Sequence, residues 1–307
     1  MQESIIRLFP ESLLERVEPV LRAAENLTEI RIRADAPMIC TTRKAEFVMD
    51  TVWISREELN DLFLHVCRYS VYAYEEELRK GYLTAVGGHR IGVCGHAVMD
   101  EGGNILTYRY VTSLNIRIAH EIRGAADQVL PYLCEGGCYH NTLIVSAPGC
   151  GKTTLLRDLI RRLSDGSTYL AGCRVAVIDE RMELGAMREG HLQNDLGMRT
   201  DVLCDCPKTE GIRMLIRSMN PKIIAVDEIG SARETEALYC ADRAGCGILA
   251  TVHGNCLEKI REAAEYRMVT GHLIERYVLL SARAGPGTVE GIYDGEGKQC
   301  FASLPWG

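Results

Sequence analysis

Long apolar runs are absent from this chain of 307 residues. No run approaches the roughly 20 apolar residues that a membrane-spanning helix needs. The first residues, MQESIIRLFPESLLERVEPVL, are acidic and amphipathic, whereas a signal peptide begins with a basic segment followed by an apolar one. The sequence therefore predicts a cytoplasmic protein without a membrane segment of its own.

Paired cysteine motifs are absent as well. The chain has 13 cysteines, an odd number, and no two are spaced as CxxC. The close sets are Cys134 and Cys138 with His140, and Cys204 with Cys206. A tetrahedral zinc site usually takes two well-spaced pairs of ligands, so this pattern favours reduced thiols packed as small apolar side chains.

A surplus of basic charge is the third absence, since the formal net charge is −7. Residues 1–124 hold 15 Lys and Arg against 18 Asp and Glu, which leaves 20 against 24 in the remainder, from totals of 35 and 42. A duplex-binding domain carries a strong basic surplus, so nucleic acid is not the expected partner of either half. Local basic patches are compatible with this balance.

The first half has the pattern of an α+β domain. LTEIRIRADAPMICTT alternates around Ile30 and Ile32, as a half-buried strand does. SREELNDLFLHVC predicts a helix with Ser55 as its N-cap and Glu58 completing a capping box. SVYAYEEELRKGYL predicts a second helix that ends at Gly81, and the glycine-punctuated segment after it predicts hairpins.

The second half alternates short apolar strands with helices, a pattern typical of a parallel α/β sheet. The halves divide near His120 to Gly124, before a helix expected around Ala125–Cys134. This gives a smaller N-terminal α+β domain over 1–124 and an α/β domain over 125–307. The predicted strands are NTLIVSA, CRVAVIDE, PKIIAVDE and GILATVHG, and the predicted helices are TTLLRDLIRRLSDG, TEGIRMLIRSM and RETEALYCADRAG.

The segment SAPGCGKTT has the context of a phosphate-binding loop, although Ser146 replaces the first glycine of the usual G-x-x-x-x-G-K-[ST] pattern. A strand leads in and a helix leads out, which aims backbone amides and a helix N-terminus at a phosphate. Lys152 is expected to reach the β- and γ-phosphates, and the Thr153 hydroxyl to bind Mg²⁺. The residues predicted to contact the nucleotide are Pro148, Gly149, Cys150, Gly151, Lys152, Thr153 and Thr154.

Acidic residues follow two other strands. IIAVDEIG ends its strand at Asp227 and Glu228, and ligands bind at the carboxyl ends of strands in open α/β sheets. We expect Asp227 to hold Mg²⁺ and Glu228 to orient or deprotonate the attacking water. In VIDERME, Asp179 and Glu180 are predicted to lie beside the γ-phosphate together with Arg181.

His253 ends the fourth strand, in LATVHGN. A lone histidine is often structural, but this position is shared with two acidic strand ends, and a phosphate-sensing role is the other interpretation. Both remain open at the level of the sequence. The predicted catalytic set is Glu228, Lys152, Asp179, Glu180 and His253, with Thr153 and Asp227 as metal ligands.

In this order, SAPGCGKTT, VIDERME, IIAVDEIG and ATVHGN resemble the Walker A loop, acidic box, Walker B motif and histidine box of the secretion-type hexameric ATPases of type II and type IV secretion and pilus assembly. One departure is Asp227, where those ATPases often have glycine before the catalytic glutamate. Over nearly the whole chain, the sequence is similar to the stage III sporulation protein AA family. That likeness rests on segments such as LTEIRIRADAP, SVYAYEEELRKGYLTAVGGHRIGVCGHAV, RTDVLCDCPKTEG and YVLLSARAGPGTVEGIYD.

The resemblance implies a RecA-like C-terminal P-loop ATPase domain that uses ATP and Mg²⁺, with an N-terminal domain for ring assembly or docking. It further implies a homo-hexameric ring in the mother cell, docked on integral membrane proteins of a channel that links mother cell and forespore. In such rings a neighbour donates an arginine to the transferring phosphate. The candidates by position are Arg90, Arg117, Arg199, Arg213 and Arg217.

Two other functions are compatible with these motifs. A nucleotide-dependent nucleic-acid module could use the segment Gly87-Gly88-His89-Arg90 against a backbone and Tyr82 or Tyr108 for stacking. A scaffold or switch would bind ATP and scarcely hydrolyse it, although Glu228 argues against this. The motor remains the leading hypothesis.

Overall fold

The computed structural model describes residues 2–24, 26–42, 44–120 and 122–302. These residues form two compact units. The first is built from the described residues up to His120 together with Ala186–Asn194, and the second from the remainder. The predicted hinge includes Glu121, which lies outside the described residues.

The first unit is built on a six-stranded antiparallel sheet with the strand order β3-β2-β1-β6-β5-β4. Its apolar core contains Ile30 and Ile32, both fully buried, as their alternation in the sequence predicts. The strands are β1 (Leu27–Arg33), β2 (Ala36–Thr42), β3 (Glu46–Ile54), β4 (Tyr82–Thr84), β5 (Arg90–Met99) and β6 (Ile105–Arg117), and the helices are α1 (Gln2–Ile6), α2 (Glu11–Ala23), α3 (Arg56–Val66) and α4 (Glu75–Arg79).

Helix α3 begins as the sequence predicts. The Glu58 amide donates to the Ser55 hydroxyl at 3.2 Å, and the Ser55 amide donates to the Glu58 carboxylate at 2.8 Å. These two hydrogen bonds are the reciprocal contacts of a capping box, which is confirmed.

The predicted helix before Gly81 is shorter than expected. A 3-10 turn over Val71–Tyr74 precedes the five-residue helix α4, so no continuous helix runs through SVYAYEEEL. Gly81 follows with a φ of +82°, in the left-handed region that ends helices. The predicted hairpin is present as β5 and β6, which are joined by a turn with Gly103 at a φ of +79°.

The second unit contains an eight-stranded sheet with the order β11-β10-β12-β13-β9-β14-β15-β16. The first six strands in this order, from β11 across the sheet to β14, are parallel, and β15 and β16 add an antiparallel edge. The mixed α/β class with a mainly parallel sheet is therefore confirmed. The strands are β9 (Thr142–Ser146), β10 (Val175–Asp179), β11 (Thr200–Cys204), β12 (Ile223–Val226), β13 (Gly247–His253), β14 (Arg276–Ser281), β15 (Thr288–Asp294) and β16 (Gln299–Ala302); β7 (Cys134–Glu135) and β8 (Cys138–Tyr139) form a separate hairpin.

Helices cover both faces of this sheet, and β9, β10 and β12 are accordingly buried along their whole length. One apolar core contains α7, α8 and every second residue of the strands. The second core contains α6 and the strand residues in between, which point to the opposite face of the sheet. The helices of this unit are α5 (Leu130–Leu133), α6 (Lys152–Asp165), α7 (Lys208–Met219), α8 (Ala232–Arg243), α9 (Leu257–Glu262) and α10 (Arg267–Thr270).

The helix expected around Ala125–Cys134 is wrong in length, because only Leu130–Leu133 is helical. Pro131 lies in the first turn of this short helix, where its missing amide hydrogen costs nothing. A longer helix would have placed that proline in its interior, where it would remove a hydrogen bond. The Ala126 amide instead donates to the Asp158 carboxylate at 2.9 Å.

Among the residues that the structure describes, no helix combines the length and apolar character needed to cross a bilayer.

Candidate nucleotide-binding site

The predicted site residues follow the carboxyl ends of four adjacent strands. In the sheet order β10-β12-β13-β9, these ends carry Asp179, then Asp227 and Glu228, then His253, and finally the loop that starts at Ser146. Because the four strands are parallel, their carboxyl ends meet at one edge of the sheet. That edge is where open α/β sheets bind ligands.

The loop after β9 has the backbone of a phosphate cradle. Gly149 and Gly151 adopt φ angles of +75° and +89°, which residues with a side chain rarely tolerate. A Cβ at Gly151 would also lie 2.8 Å from the Gly287 nitrogen, so the chain has no room for one. Gly151 is the N-cap of α6 and carries no side chain that could compete for the amides of Lys152, Thr153 and Thr154.

Lys152 is buried and makes several hydrogen bonds in this loop. Its Nζ donates to the Ser146 carbonyl at 3.1 Å, the Ser146 hydroxyl at 3.3 Å and the Ala147 carbonyl at 3.3 Å. It also lies 2.9 Å from Nδ1 of His253. Burial lowers the pKa of Lys152 below its usual value, and the charges of Asp227 and Glu228 oppose that shift.

His253 links the lysine to Glu228. Since the Lys152 ammonium can only donate, His253 Nδ1 is the acceptor, and the ring proton lies on Nε2. Nε2 is 3.0 Å from Oε1 of Glu228, a hydrogen-bond distance. The second oxygen of Glu228 pairs with Arg181, so a continuous chain runs from Lys152 through His253 and Glu228 to Arg181.

Asp227 contacts α6, the helix that follows the glycine-rich loop. Its Oδ2 accepts a hydrogen bond from the Thr153 hydroxyl at 3.0 Å, and its Oδ1 accepts one from the Thr251 hydroxyl at 2.6 Å. A hydroxyl beside a carboxylate suits Mg²⁺, which proteins bind through one or two carboxylates together with substrate phosphates and water. Among the described residues, no group of three or more His, Cys, Asp and Glu is arranged to hold a metal on protein ligands alone.

Asp179 is buried and its carboxylate is saturated by backbone amides. Its Oδ1 accepts from the amides of Glu183 and Leu184 at 2.8 and 3.1 Å, and its Oδ2 accepts from Gly185 at 2.8 Å. Burial raises the pKa of Asp179, while the three amide bonds act in the opposite direction. The structure thus brings Asp179 to the expected edge and directs its oxygens into the turn over 183–185.

Glu180 is held by Lys208, the first residue of α7. Lys208 Nζ lies 2.5 Å from Glu180 and 3.2 Å from Glu234, which is on α8. Burial disfavours the charged lysine, but its hydrogen bond with Glu180 and the charges of Glu234 and Glu180 outweigh this, so the pKa of Lys208 is raised. The pKa of Glu234 is lowered against the effect of its burial, first by a hydrogen bond from the Gly230 amide and then by the charge of Lys208.

Three residues of this network are not predicted by the sequence. Lys208 lies in RTDVLCDCPKTEG, one of the segments that carry the family likeness, but nothing in that segment marks it as the partner of Glu180. Ser146 enters the loop pattern only as a missing glycine, although its carbonyl and hydroxyl accept from Lys152. Thr251 could have been found from the pairing of the strands. Val226 of β12 pairs with Ala250 of β13, so the next residues, Asp227 and Thr251, lie beside each other.

The remaining predicted residues lie as follows. Cys150 is buried in the loop, with its Sγ 3.8 Å from the Pro148 carbonyl. Arg199 donates to the Ser164 carbonyl at 3.0 Å, and Arg213 pairs with Glu210 at 3.4 Å. In the first unit, Arg117 is exposed.

The residues that a nucleic-acid module would use, Tyr82, His89 and Arg90, lie in the first unit and are engaged with each other or with neighbouring groups. The Arg90 guanidinium lies 4.7 Å from the centre of the Tyr82 ring, so one face of that ring is already occupied by a cation. His89 is 1% exposed, with one ring nitrogen 2.9 Å from the Ser4 hydroxyl and the other accepting from the Ala119 amide at 3.0 Å. Neither side chain is presented as a free stacking or backbone-binding group.

Comparison with solved structures identifies the fold. The ATPase DotB of Legionella pneumophila superimposes with a TM-score of 0.56 and 18% identity, covering 87% of this chain and 74% of that one. The pilus retraction motor PilT, solved with bound ADP, gives a TM-score of 0.58 and 15% identity, covering 86% and 77%. At this level of identity the likeness concerns the fold, which is that of the RecA-like secretion ATPases, as expected.

Comparison with known sequences identifies the family. Stage III sporulation protein AA of Bacillus subtilis (strain 168) is 37% identical over 296 residues, which cover 96% of this chain and 95% of that protein. The model of the family described as "Sporulation stage III, protein AA" matches residues 1–300. The expected resemblance is confirmed, and the chain belongs to the sporulation stage III, protein AA family.

Proposed function

We propose that this protein is an ATPase motor of a sporulation apparatus that connects mother cell and forespore. The observation that carries the proposal is the hydrogen-bonded chain from Lys152 through His253 and Glu228 to Arg181, at the edge of a parallel sheet and beside a glycine-rich loop. A lysine beside a glycine-rich loop can bind phosphate, and a nearby carboxylate can orient or deprotonate the attacking water, which are two of the parts that nucleotide hydrolysis uses.

In the proposed mechanism, the loop amides and Lys152 bind the β- and γ-phosphates. Thr153 and Asp227 would hold Mg²⁺, which neutralises charge on the phosphate oxygens when it is bound. Glu228 accepts a proton from the water whose oxygen attacks the γ-phosphorus, while the bond to the bridging oxygen breaks and ADP leaves. His253 donates to Glu228 and so fixes the orientation of that carboxylate.

Asp179 and Glu180 act as positioning residues in this proposal. Asp179 holds the turn over 183–185 through three amides, and Glu180 is tied to Lys208. Arg181 pairs with Glu228 and is suited to bind phosphate charge, since a guanidinium matches delocalised oxygens better than an ammonium does.

Phosphate release at saturating ATP and Mg²⁺ tests hydrolysis. Lys152→Ala and Glu228→Gln should each lose activity, since the first removes phosphate binding and the second the base. Lys298→Ala and Glu236→Gln are matched controls at exposed positions of the same unit and should behave as the wild type. Equal rates in the wild type, Lys152→Ala and Glu228→Gln would refute the assignment.

Assembly forms the second part of the proposal. We infer a homo-hexameric ring in the cytoplasm of the mother cell. In this ring, residues 125–307 apart from Ala186–Asn194 hydrolyse ATP, and residues 1–124 together with that segment move against them and engage integral membrane proteins of the channel. Mass measurement with and without ATP and Mg²⁺ tests the ring, and a chain that stays monomeric under both conditions contradicts it. Reconstitution with membrane partners tests docking through co-sedimentation.

A regulated switch with low intrinsic turnover is a second candidate, and one observation favours it. Lys152 is engaged by two loop carbonyls and His253, so a phosphate has to compete with these contacts for the ammonium. Turnover that rises only when membrane partners are added would support this form of the proposal. A rate unaffected by partners would favour the autonomous motor.

A further inference from the structure

Thr251 lies on β13, two residues before His253 and between the two strands that carry the loop and the acidic pair. Its side chain is completely buried. Its hydroxyl donates to Oδ1 of Asp227 at 2.6 Å and accepts from the backbone amide of Glu228 at 2.8 Å. One buried hydroxyl therefore contacts both residues of the acidic pair.

The hydroxyl can serve both contacts because it has one proton and two lone pairs. Its single proton is directed to the Asp227 carboxylate, which can only accept when ionised, and a lone pair faces the Glu228 amide. A valine at this position would have nearly the same shape and neither function. The Glu228 amide and one Asp227 oxygen would then lose a partner in a half-buried place.

The backbone at Glu228 explains why such a clamp is needed. Glu228 has a φ of +53°, in the left-handed region that residues with a side chain rarely enter. This conformation turns the glutamate back towards His253 and Arg181. Thr251 holds the turn twice, because its carbonyl also accepts from the Ile229 amide at 2.8 Å.

We propose that Thr251 is a positioning residue for ATP hydrolysis: its hydroxyl fixes the left-handed turn that aims Glu228 and sets the orientation of Asp227. The inference rests on the proposed hydrolytic function. It does not involve nucleotide affinity, because Thr251 contacts neither Lys152 nor the glycine-rich loop through any of these bonds. A split between turnover and binding is the result that distinguishes it from a general structural role.

The test compares Thr251→Val with Thr251→Ser in the full chain. Loss of the hydroxyl should lower kcat on the order of 10²-fold, the size of effect expected when a catalytic group is misplaced by about 1 Å. The affinity for a fluorescent ATP analogue, measured by titration without Mg²⁺, should remain near that of the wild type. Thr251→Ser keeps the hydroxyl and should restore most of kcat.

Thr142→Val is the matched control. Thr142 is also a fully buried threonine in a strand of the same sheet, but its hydroxyl donates to the His140 carbonyl at 2.7 Å and interacts with Tyr139, away from the acidic pair. The control should therefore keep kcat, even if it lowers the melting temperature as much as Thr251→Val does. A double variant, Thr251→Val with Glu228→Gln, should lose less activity than the two single losses combined, because the part of the valine's effect that acts through Glu228 is already absent in Glu228→Gln.

The outcomes separate the two proposals. A wild type that releases no more phosphate than Lys152→Ala overturns the proposed function, and the role of Thr251 falls with it. An active wild type with equal kcat in Thr251→Val and Thr142→Val overturns the role of Thr251 alone. That role is also overturned if Thr251→Ser is as slow as Thr251→Val, or if the double variant shows fully additive losses.

Discussion

Replacement of Asp179 should unfold the turn that follows β10. Its carboxylate accepts three backbone amides, from Glu183, Leu184 and Gly185, and the side chain is 2% exposed. Asp179→Ala removes all three acceptors at once. Asp179→Asn keeps a carbonyl oxygen for the first two amides but turns an NH₂ group towards the Gly185 amide, so that two donors face each other.

The expected losses follow from this count. A buried amide left without a partner costs about 1–3 kcal/mol, so Asp179→Ala should cost at least about 3 kcal/mol and Asp179→Asn about 1–3 kcal/mol. For a unit of this size, each kcal/mol lowers the melting temperature by about 2–4 °C. The alanine variant should thus melt at least about 6 °C below the wild type, with the asparagine variant between them.

Two measurements check the reasoning. Thermal unfolding gives the order of the three proteins, and hydrogen exchange with mass spectrometry reports the amides of 183–185 directly. Asp50→Ala, an exposed aspartate on β3, is the control and should change stability by less than about 0.5 kcal/mol. The reasoning fails if exchange at 183–185 is as slow in Asp179→Ala as in the wild type, or if the asparagine variant melts below the alanine variant.

Other predictions concern the loop, the pH dependence and the thiols. Gly151→Ala should abolish binding of a fluorescent ATP analogue, because its Cβ would meet a backbone nitrogen at 2.8 Å, whereas Gly149→Ala, with nothing within 4 Å, should only weaken it. Burial lowers the pKa of Lys152, so the ammonium should lose its proton at a pH below the ordinary lysine value of about 10.4. ATP binding should therefore weaken as the pH rises through that lower value. A binding titration against pH with its midpoint at or above about 10.4 contradicts this. Cys150, which is buried, should react with a maleimide more slowly than the exposed Cys300, and ATP should slow it further; equal labelling of both by mass spectrometry would count against the described loop.

Asp179 also gives a pH prediction with a definite sign. Because burial raises its pKa in the folded state, the folded protein binds more protons than the unfolded chain just above the usual aspartate value of about 3.9. The stability contributed by this group then falls as the pH rises through that window. The free energy of unfolding of the wild type, relative to Asp179→Asn, should therefore be greater near the lower end of that window than at about pH 7.

The sheet and the family could be predicted from the sequence because their signals are local. Four continuous apolar runs, each ending in a charged residue or a glycine-rich turn, determine where strands stop, and parallel pairing brings those ends together. The capping box of α3 is a three-residue pattern and is equally recognisable. Helix lengths were less accurate where proline or a 3-10 turn divided an apolar stretch.

The contacts inside the site depend on distances that local patterns do not contain. Lys208 reaches Glu180 over 28 residues, and Lys152 reaches His253 over 101. The sequence also contains no sign that Ala186–Asn194, a short segment after the acidic strand end of β10, belongs to the first unit. Its anchor there is Arg188, which is 7% exposed and donates to the Tyr74 hydroxyl at 2.9 Å.

The hydrogen bonds at His253 determine whether the histidine can respond to a phosphate bound in the glycine-rich loop. Nδ1 accepts from Lys152 only while the ammonium stays beside the ring, and Nε2 donates to Glu228 at the same time. In the proposed mechanism the lysine leaves for the phosphate, so Nδ1 loses its donor while the contact with Glu228 can persist. The way the ring orients the glutamate then depends on whether a phosphate has drawn the lysine away. Under the proposed mechanism, Glu228 would be coupled to occupancy of the loop through a single ring, and this favours sensing over a purely structural role for His253.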